Sequence, residues 1–210
     1  MDFRERAGLV IHNLYRQLDL PIPIWDPFYR FPPLSSAHIV DLTNNHAIHN
    51  MHLPLFANVH TLILAKCKAI TDLSSLHNVR ILDLSDCFHI TDISALQNVE
   101  EINLSYCYGV VDVSALRNAR KVILRCCYGI TNVDCLQNVH TLDISTCINV
   151  EDVSKLTHVK RLIMRNCPSI QDVSGLQQVQ ELDIRDSNVV GIDKLLNLKT
   201  LYKDNLIVRK

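Results

Sequence analysis

The sequence predicts an α/β solenoid: a right-handed coil with a parallel β-sheet on its concave face, short 3₁₀ or extended segments on its convex face, and a helical cap at its N-terminus. Three observations support this prediction. A cysteine recurs every 20 residues, two apolar residues alternate before it, and apolar residues follow it at every third position. Because one such unit is too small to bury its own apolar side, about eight units must stack to form one core.

The unit around Cys87 shows the pattern. Leu82 and Leu84 precede the cysteine with one residue between them, and this period of two is typical of a strand. The apolar positions after it are Ile90, Ile93, Leu96 and Val99. Their period of three fits a tight 3₁₀-like or extended return segment. Stacked units would then pair their strands in parallel.

The cysteines of the repeat form a column. Its members are Cys67, Cys87, Cys107, Cys127, Cys147 and Cys167, and Ser187 takes the next place. A buried thiol packs as a small apolar group and bonds weakly to the backbone, so we predict a structural ladder. A row of ligands does not converge as zinc requires. Cys126 and Cys135 fall outside the column, and Cys126 is expected to be exposed.

The consensus LxLxxCxxIxDVSxLxNVxx from Ile39 to Leu201 resembles the cysteine-containing, short-repeat subclass of leucine-rich-repeat proteins. Segments such as LDLSDCFHITDISAL are also similar to repeats of F-box-type substrate-recognition subunits, and a looser similarity exists to leucine-rich-repeat proteins of large DNA viruses of amoebae. The first resemblance implies a binding scaffold that uses its concave strands. The F-box resemblance implies an alternative function, substrate recognition for a ubiquitin ligase.

Three regions follow from where the repeat begins and ends. Residues 1–36 lack it, and an apolar helical face followed by five prolines predicts a capping helix with a proline-rich cover. Residues 37–201 hold about eight leucine-rich repeats. Residues 202–210 form a C-terminal edge, where Lys203, Arg209 and Lys210 are expected to discourage pairing with another strand.

Residues between the inward leucines of each strand should face solvent on the concave side and contact a partner. The predicted partner-binding residues are Ile63, Asp83, Asn103, Ile123, Arg125, Asp143, Ile163, Arg165, Asp183 and Arg185. Exposed isoleucine beside arginine is typical of interaction hot spots. The later strands carry more lysine and arginine than the earlier ones, which leaves nucleic-acid binding through this basic patch as an alternative.

Composition argues against other classes of function. The net charge of −1 supplies no overall field for nucleic acid or anionic lipid. The sequence holds no phosphate-binding glycine loop, nucleophile elbow or metal quartet, so we expect no enzyme, no cofactor and no small-molecule substrate. His46, His49 and His52 recur at every third residue; we expect them to face solvent or the cap, with a metal site as the alternative.

No run approaches the ~20 apolar residues of a membrane span, and the first residues are too interrupted for a signal peptide. We therefore expect an intracellular, by default cytoplasmic, chain that binds a protein of unknown identity.

Two further patterns recur with the repeat. Asp72 stands two residues before Ser74, as in four other units, and this spacing favours a turn cap over an acid and nucleophile pair. Phe88, Tyr108 and Tyr128 follow three consecutive ladder cysteines. They are interpreted either as a stacked aromatic row or as a rim that contacts a partner.

Overall fold

A computed structural model describes residues 38–209, where ten strands form one sheet in chain order. Strands β1 to β9 are parallel, and β10 is antiparallel to β9. The strands are β1 Ile39–Asp41, β2 Thr61–Ile63, β3 Ile81–Asp83, β4 Glu101–Asn103, β5 Lys121–Ile123, β6 Thr141–Asp143, β7 Arg161–Ile163, β8 Glu181–Asp183, β9 Thr200–Lys203 and β10 Leu206–Arg209. The predicted solenoid with a parallel sheet is confirmed, whereas the predicted cap over 1–36 lies outside the described residues.

The strand register reproduces the repeat of the sequence. Thr61 pairs with Ile81, and from β2 to β8 each strand residue pairs with the residue 20 positions later in the next strand. The terminal coils differ: Ile39 pairs with Thr61 after 22 residues, and Glu181 pairs with Thr200 after 19. The side chains of one coil therefore stack on the equivalent side chains of the next.

The core lies inside the coil and consists of columns of aliphatic side chains. In the unit around Cys87 the inward side chains are at most 3% exposed: Leu82, Leu84, Cys87, Ile90, Ile93, Leu96 and Val99. Full burial of one such aliphatic side chain contributes about 1.5–3 kcal/mol. Because every unit supplies the same set, each coil is held chiefly by its two neighbours.

A tight turn separates each strand from its ladder cysteine. The backbone N–H of Cys87 donates to the carbonyl of Leu84 at 3.1 Å, and Asp86 between them has a left-handed φ of 62°. The other residues with positive φ at this place are Asn44, Lys66, Tyr106, Cys126, Thr146, Asn166 and Asp186. Four of these eight residues are Asn or Asp, the non-glycine residues that best tolerate this conformation.

The cysteine column is a ladder of buried thiols, as predicted. Each Sγ donates to the carbonyl oxygen of the residue that follows the strand of the preceding coil, for example Cys147 to Leu124 at 2.9 Å and Cys107 to Leu84 at 3.2 Å. Ser187 continues the ladder and donates to the carbonyl of Met164 at 2.9 Å. All eight cysteines are free thiols, so the ladder joins coils through hydrogen bonds and packing.

The return segments are short, as the period of three predicts. The 3₁₀ helices are Asn50–Phe56, Ser74–Leu76, Ser114–Leu116, Asp134–Leu136 and Ile192–Lys194, and the remaining units use turns. The backbone N–H of Ser94 donates to Asp92 Oδ1 at 2.8 Å, and the equivalent pairs do the same. These aspartates therefore act as turn caps.

The C-terminal end departs from the predicted division at residue 202. Strand β9 continues through Lys203, and Asp204, with a φ of 50°, helps to turn the chain back into β10. The predicted boundary thus falls inside a strand, because the last coil closes as a hairpin. Within residues 38–209, no helix has the length and apolar character needed to cross a membrane.

Candidate functional site

The outward side of the sheet is the candidate site, and we call it the strand face. On β3 the inward Leu82 lies between Ile81 and Asp83, which point outward together with Ser85 just beyond the strand. Stacked coils repeat these three positions as three columns. The predicted residues occupy the second and third columns.

The early part of the strand face, on β2 to β5, has an apolar surface. Ile63, Ile81 and Ile123 are each partly exposed there, and they line a shallow depression of about 200 Å³. Glu101 and Lys121 also line it and form an ion pair of 3.6 Å between Lys121 Nζ and Glu101 Oε2. This part therefore combines partly exposed isoleucines with a polar rim.

Asp83 and Asn103 lie in the same depression, but their first role is to fix the backbone. Asp83 Oδ1 accepts the N–H of Ser85 at 2.8 Å and its hydroxyl at 2.7 Å. Asn103 Nδ2 donates to Asp83 Oδ2 at 3.1 Å. Both side chains remain half-buried, so they border the depression while capping the turns after their strands.

The later part of the strand face differs from the prediction. Asp143 and Asp183 were expected to face solvent, but they are only 2% and 4% exposed. Arg125 Nε contacts Asp143 Oδ2 at 2.6 Å and covers that carboxylate. Because the long side chain of Arg125 reaches over from the adjacent column, Asp143 is a buried turn cap and not the exposed contact residue that was predicted.

Asp183 has two such partners. Arg165 and Arg185 reach its Oδ2 at 2.7 and 2.6 Å, and the guanidinium of Arg185 also lies 5.6 Å from the ring centre of Tyr202. Burial opposes ionisation of Asp183, but hydrogen bonds from Arg185 and Arg165 outweigh it and lower the pKa of this carboxyl. The side chain is therefore ionised at neutral pH.

The predicted basic patch is partly compensated by these contacts. Arg161 pairs with Glu181 at 3.2 Å, in addition to the arginine pairs with Asp143 and Asp183. Lys160 donates to Gln178 Oε1 at 2.8 Å. Four arginines of the later strands thus contact a carboxylate, and two of them, Arg165 and Arg185, share the single charge of Asp183.

Sequence reasoning missed the first column of the strand face, above all Ile81. The alternation that places Ile63 and Asp83 on the outward side of the sheet also places there the residue before the inward aliphatic residue of each strand. This signal was present in the sequence. Only the tertiary structure shows that Ile81 is partly exposed and lines the same depression as Ile63.

A second exposed surface lies at the turns that follow the ladder. Tyr108 and Tyr128 stack with ring centres 5.3 Å apart and an angle of 8° between the rings, while remaining 45% and 40% exposed. Lys68 Nζ lies 5.4 Å from the ring centre of Phe88. The predicted aromatic stacking is present between the two tyrosines, and the exposed faces leave partner contact open.

The cysteines offer little reactive chemistry. Burial raises the pKa of Cys87, Cys107 and Cys127 to about 12. Their thiols are therefore protonated at neutral pH and poor nucleophiles. Cys126 is partly exposed, as expected, and contact with it raises the pKa of Tyr128.

The three histidines of the first coil do not form a common site. His52 is buried, accepts the backbone N–H of His49 through Nδ1 at 3.0 Å, and has a pKa lowered to about 4 by burial and by His49. His46 and His49 are exposed. Among residues 38–209 no three His, Cys, Asp or Glu side chains are grouped as metal ligands.

Comparison with known proteins supports the fold. No protein-family model and no curated protein matches the sequence. Among solved structures, the chain is similar to internalin C2 of Listeria monocytogenes, with a TM-score of 0.62 and 24% identity over 79% of this chain and 78% of that chain. It is also similar to an internalin, InlF, of the same organism, with a TM-score of 0.52 and 16% identity over 95% of this chain and 74% of that one.

A third likeness covers nearly the whole chain. The leucine-rich-repeat domain of the type III effector XopL has a TM-score of 0.52 and 12% identity, over 98% of this chain and 97% of that chain. Together with the ladder geometry, these likenesses show a leucine-rich-repeat solenoid with cysteine-containing repeats.

Proposed function

We propose that this leucine-rich-repeat solenoid is a protein-binding scaffold that docks its partner on the early part of the strand face. The depression on β2 to β5 supports the proposal, because Ile63, Ile81 and Ile123 all line it and are partly exposed. Partly exposed aliphatic side chains in a shallow depression are suited to bury an apolar side chain of a partner. Asp83 and the ion pair of Glu101 with Lys121 form a polar rim around this apolar surface.

The later part of the strand face is a weaker candidate. Its acidic members are buried under arginines, so a partner would have to displace existing ion pairs before it could bind them. Breaking such a contact costs more than covering an unpaired apolar surface. Ile163 alone adds a partly exposed isoleucine there.

The charge compensation also weighs against nucleic acid as the partner. Affinity for phosphate groups comes from cations that release counterions, and paired arginines contribute less of this effect. The ubiquitin-ligase alternative rests on the resemblance of the repeats to F-box-type subunits, and the geometry of residues 38–209 adds no observation that favours it.

The experiment compares capture of proteins from the native host by three forms of the chain. Ile63, Ile81 and Ile123 are replaced together by threonine, which keeps the β-branched shape suited to a strand but removes apolar surface. The matched control is Ile163→Thr, the same change in the second column on β7. A captured protein is then purified, and its dissociation constant is measured by calorimetry at two salt concentrations.

The triple variant should raise the dissociation constant at least about tenfold, since this corresponds to a loss of about 1.4 kcal/mol across three anchors. The Ile163→Thr control should bind like the unmodified chain. Equal binding by the triple variant would exclude the early strand face. A steep salt dependence would instead indicate nucleic acid or another polyanion.

A further inference from the structure

The last strand of the sheet has an open edge made of apolar residues. Strand β10 pairs with β9 on one side, and no described residue pairs with its other side. Leu206, Ile207 and Val208 are 61%, 57% and 42% exposed. An open strand edge with free backbone N–H and C=O groups is a template for pairing with another strand.

An apolar depression of about 240 Å³ lies beside this edge. Its apolar lining comes from Ile192, Leu198, Leu201 and Val208. Val208 pairs with Leu201, which packs against the core, so both side chains lie on the inward side of the sheet. Leu206 shares that side by alternation, and the core is therefore left uncovered where the coil ends.

We propose that a second copy of this chain covers the edge by antiparallel pairing of β10 with β10, giving a two-fold symmetric dimer. A strand that pairs with itself across a two-fold axis meets the same residues in reverse order. Side chains alternate between the two sides of a sheet along each strand, and directly opposed residues have their side chains on the same side. The two residues of each pair must therefore both have even numbers or both have odd numbers, so that their sum is even. This condition leaves only a few registers.

One of these registers matches apolar groups throughout. With Ile207 opposite Ile207 of the second copy, Leu206 lies opposite Val208 twice, and Arg209 lies opposite Asn205. The neighbouring registers place Ile207 opposite Arg209, or Asp204 opposite Val208, and so bring a charge onto an aliphatic side chain. Self-complementarity of the edge thus selects both the occupant and the alignment.

The same pairing closes the depression. The two Leu206 and Val208 pairs would form a continuous inward row with Leu201 of each copy, so the cores of the two coils would join across the axis. Of the charged residues that the sequence suggested would block this edge, Arg209 lies at the end of β10 and Lys203 lies on β9, so the centre of β10 carries no charge. The interface is small, so association in the micromolar range is expected.

The experiment measures the mass of the full 210-residue chain by sedimentation equilibrium over a concentration range from about 1 to 300 µM, the range in which small interfaces associate. Ile207→Lys places two like charges opposite each other and should raise the dimer dissociation constant at least about tenfold. Leu196→Lys is the matched control, because Leu196 is 85% exposed and outside both the strand and the depression. Circular dichroism checks that each variant is folded.

An equal mixture of the Ile207→Lys and Ile207→Glu variants provides the decisive result. Only a register that places residue 207 opposite itself brings the lysine and glutamate together, so the mixture should recover the dimer that each variant alone has lost. A monomer of the unmodified chain at every concentration would overturn the proposal. A dimer weakened by Leu196→Lys and not by Ile207→Lys, or a mixture that stays monomeric, would overturn it as well.

Discussion

The contacts of Asp183 lead to a quantitative prediction about what the buried carboxylates of the strand face do. Replacing Asp183 by asparagine keeps an oxygen that caps the turn, as Asn103 Oδ1 does when it accepts the N–H of Ser105 at 3.1 Å. The change removes the negative charge that accepts bonds from Arg165 and Arg185. Asp83→Asn is the matched control, because Asp83 occupies the same column and has no arginine among its hydrogen-bond partners.

The expected magnitude follows from these contacts. Hydrogen bonds to charged groups contribute about 1.5–3 kcal/mol when shielded from water. The side chains of Arg165 and Arg185 are 42% and 34% exposed, so solvent screens part of this contribution. We expect Asp183→Asn to lower the free energy of unfolding by about 1–2 kcal/mol more than Asp83→Asn does. Urea titration followed by circular dichroism measures both values.

The pH dependence provides a second test. Because the pKa of Asp183 is lowered in the folded chain, its ionised form stabilises the fold above the unfolded value of about 3.9. This stability is lost as the pH falls through the folded pKa. The difference between the unmodified chain and Asp183→Asn should thus be complete at neutral pH and shrink below about pH 4. An equal cost for both substitutions, or a difference that persists in strong acid, would contradict the assigned role.

Four further substitutions, one of them a control, test the ladder and the turns by the stability of the fold. Cys147→Ala should lower the free energy of unfolding by about 1–2 kcal/mol, because it leaves a small cavity in a closely packed column. The control, Cys126→Ala at a partly exposed turn, should change it little. Equal losses of stability would contradict a structural role of the ladder cysteines. Thr146→Asn should stabilise by about 0.5–1 kcal/mol, since a β-branched residue is strained at a φ of 61°, and a loss of stability would refute this reasoning. Gly191→Ala should destabilise the fold by about 1–3 kcal/mol, because the φ of Gly191 is 84° and an added Cβ would lie 2.5 Å from Asp172 Oδ1. An unchanged melting temperature would contradict this prediction and show that the turn relaxes around the Cβ.

The likeness to known solenoids adds a constraint on how these substitutions act. Each coil contacts mainly its neighbours, so a local change destabilises adjacent coils before it affects distant ones. Substitutions in the middle of the array, such as Cys147→Ala, are thus expected to lower cooperativity as well as stability. Hydrogen exchange of backbone amides along the ladder would measure that effect.

The sequence alone determined the repeat architecture. The spacing of Cys87, Cys107 and the other ladder residues, with the alternating leucines before them, predicted parallel strands, short return segments and a column of buried thiols. These features were predictable because a repeated unit has one way to bury its apolar side, so local pattern and tertiary packing coincide.

Only the tertiary structure decided which outward residues are accessible. Asp143 and Asp183 occupy the same column as Asp83, but they are buried because Arg125, Arg165 and Arg185 fold over them from the adjacent column. The periodicity of the sequence tells on which side of the sheet a residue lies. It does not tell which neighbour the charged end of a long, flexible side chain contacts. The depression around Ile81 and the open edge of β10 likewise depend on contacts between coils and at their end, which no pattern within one repeat specifies.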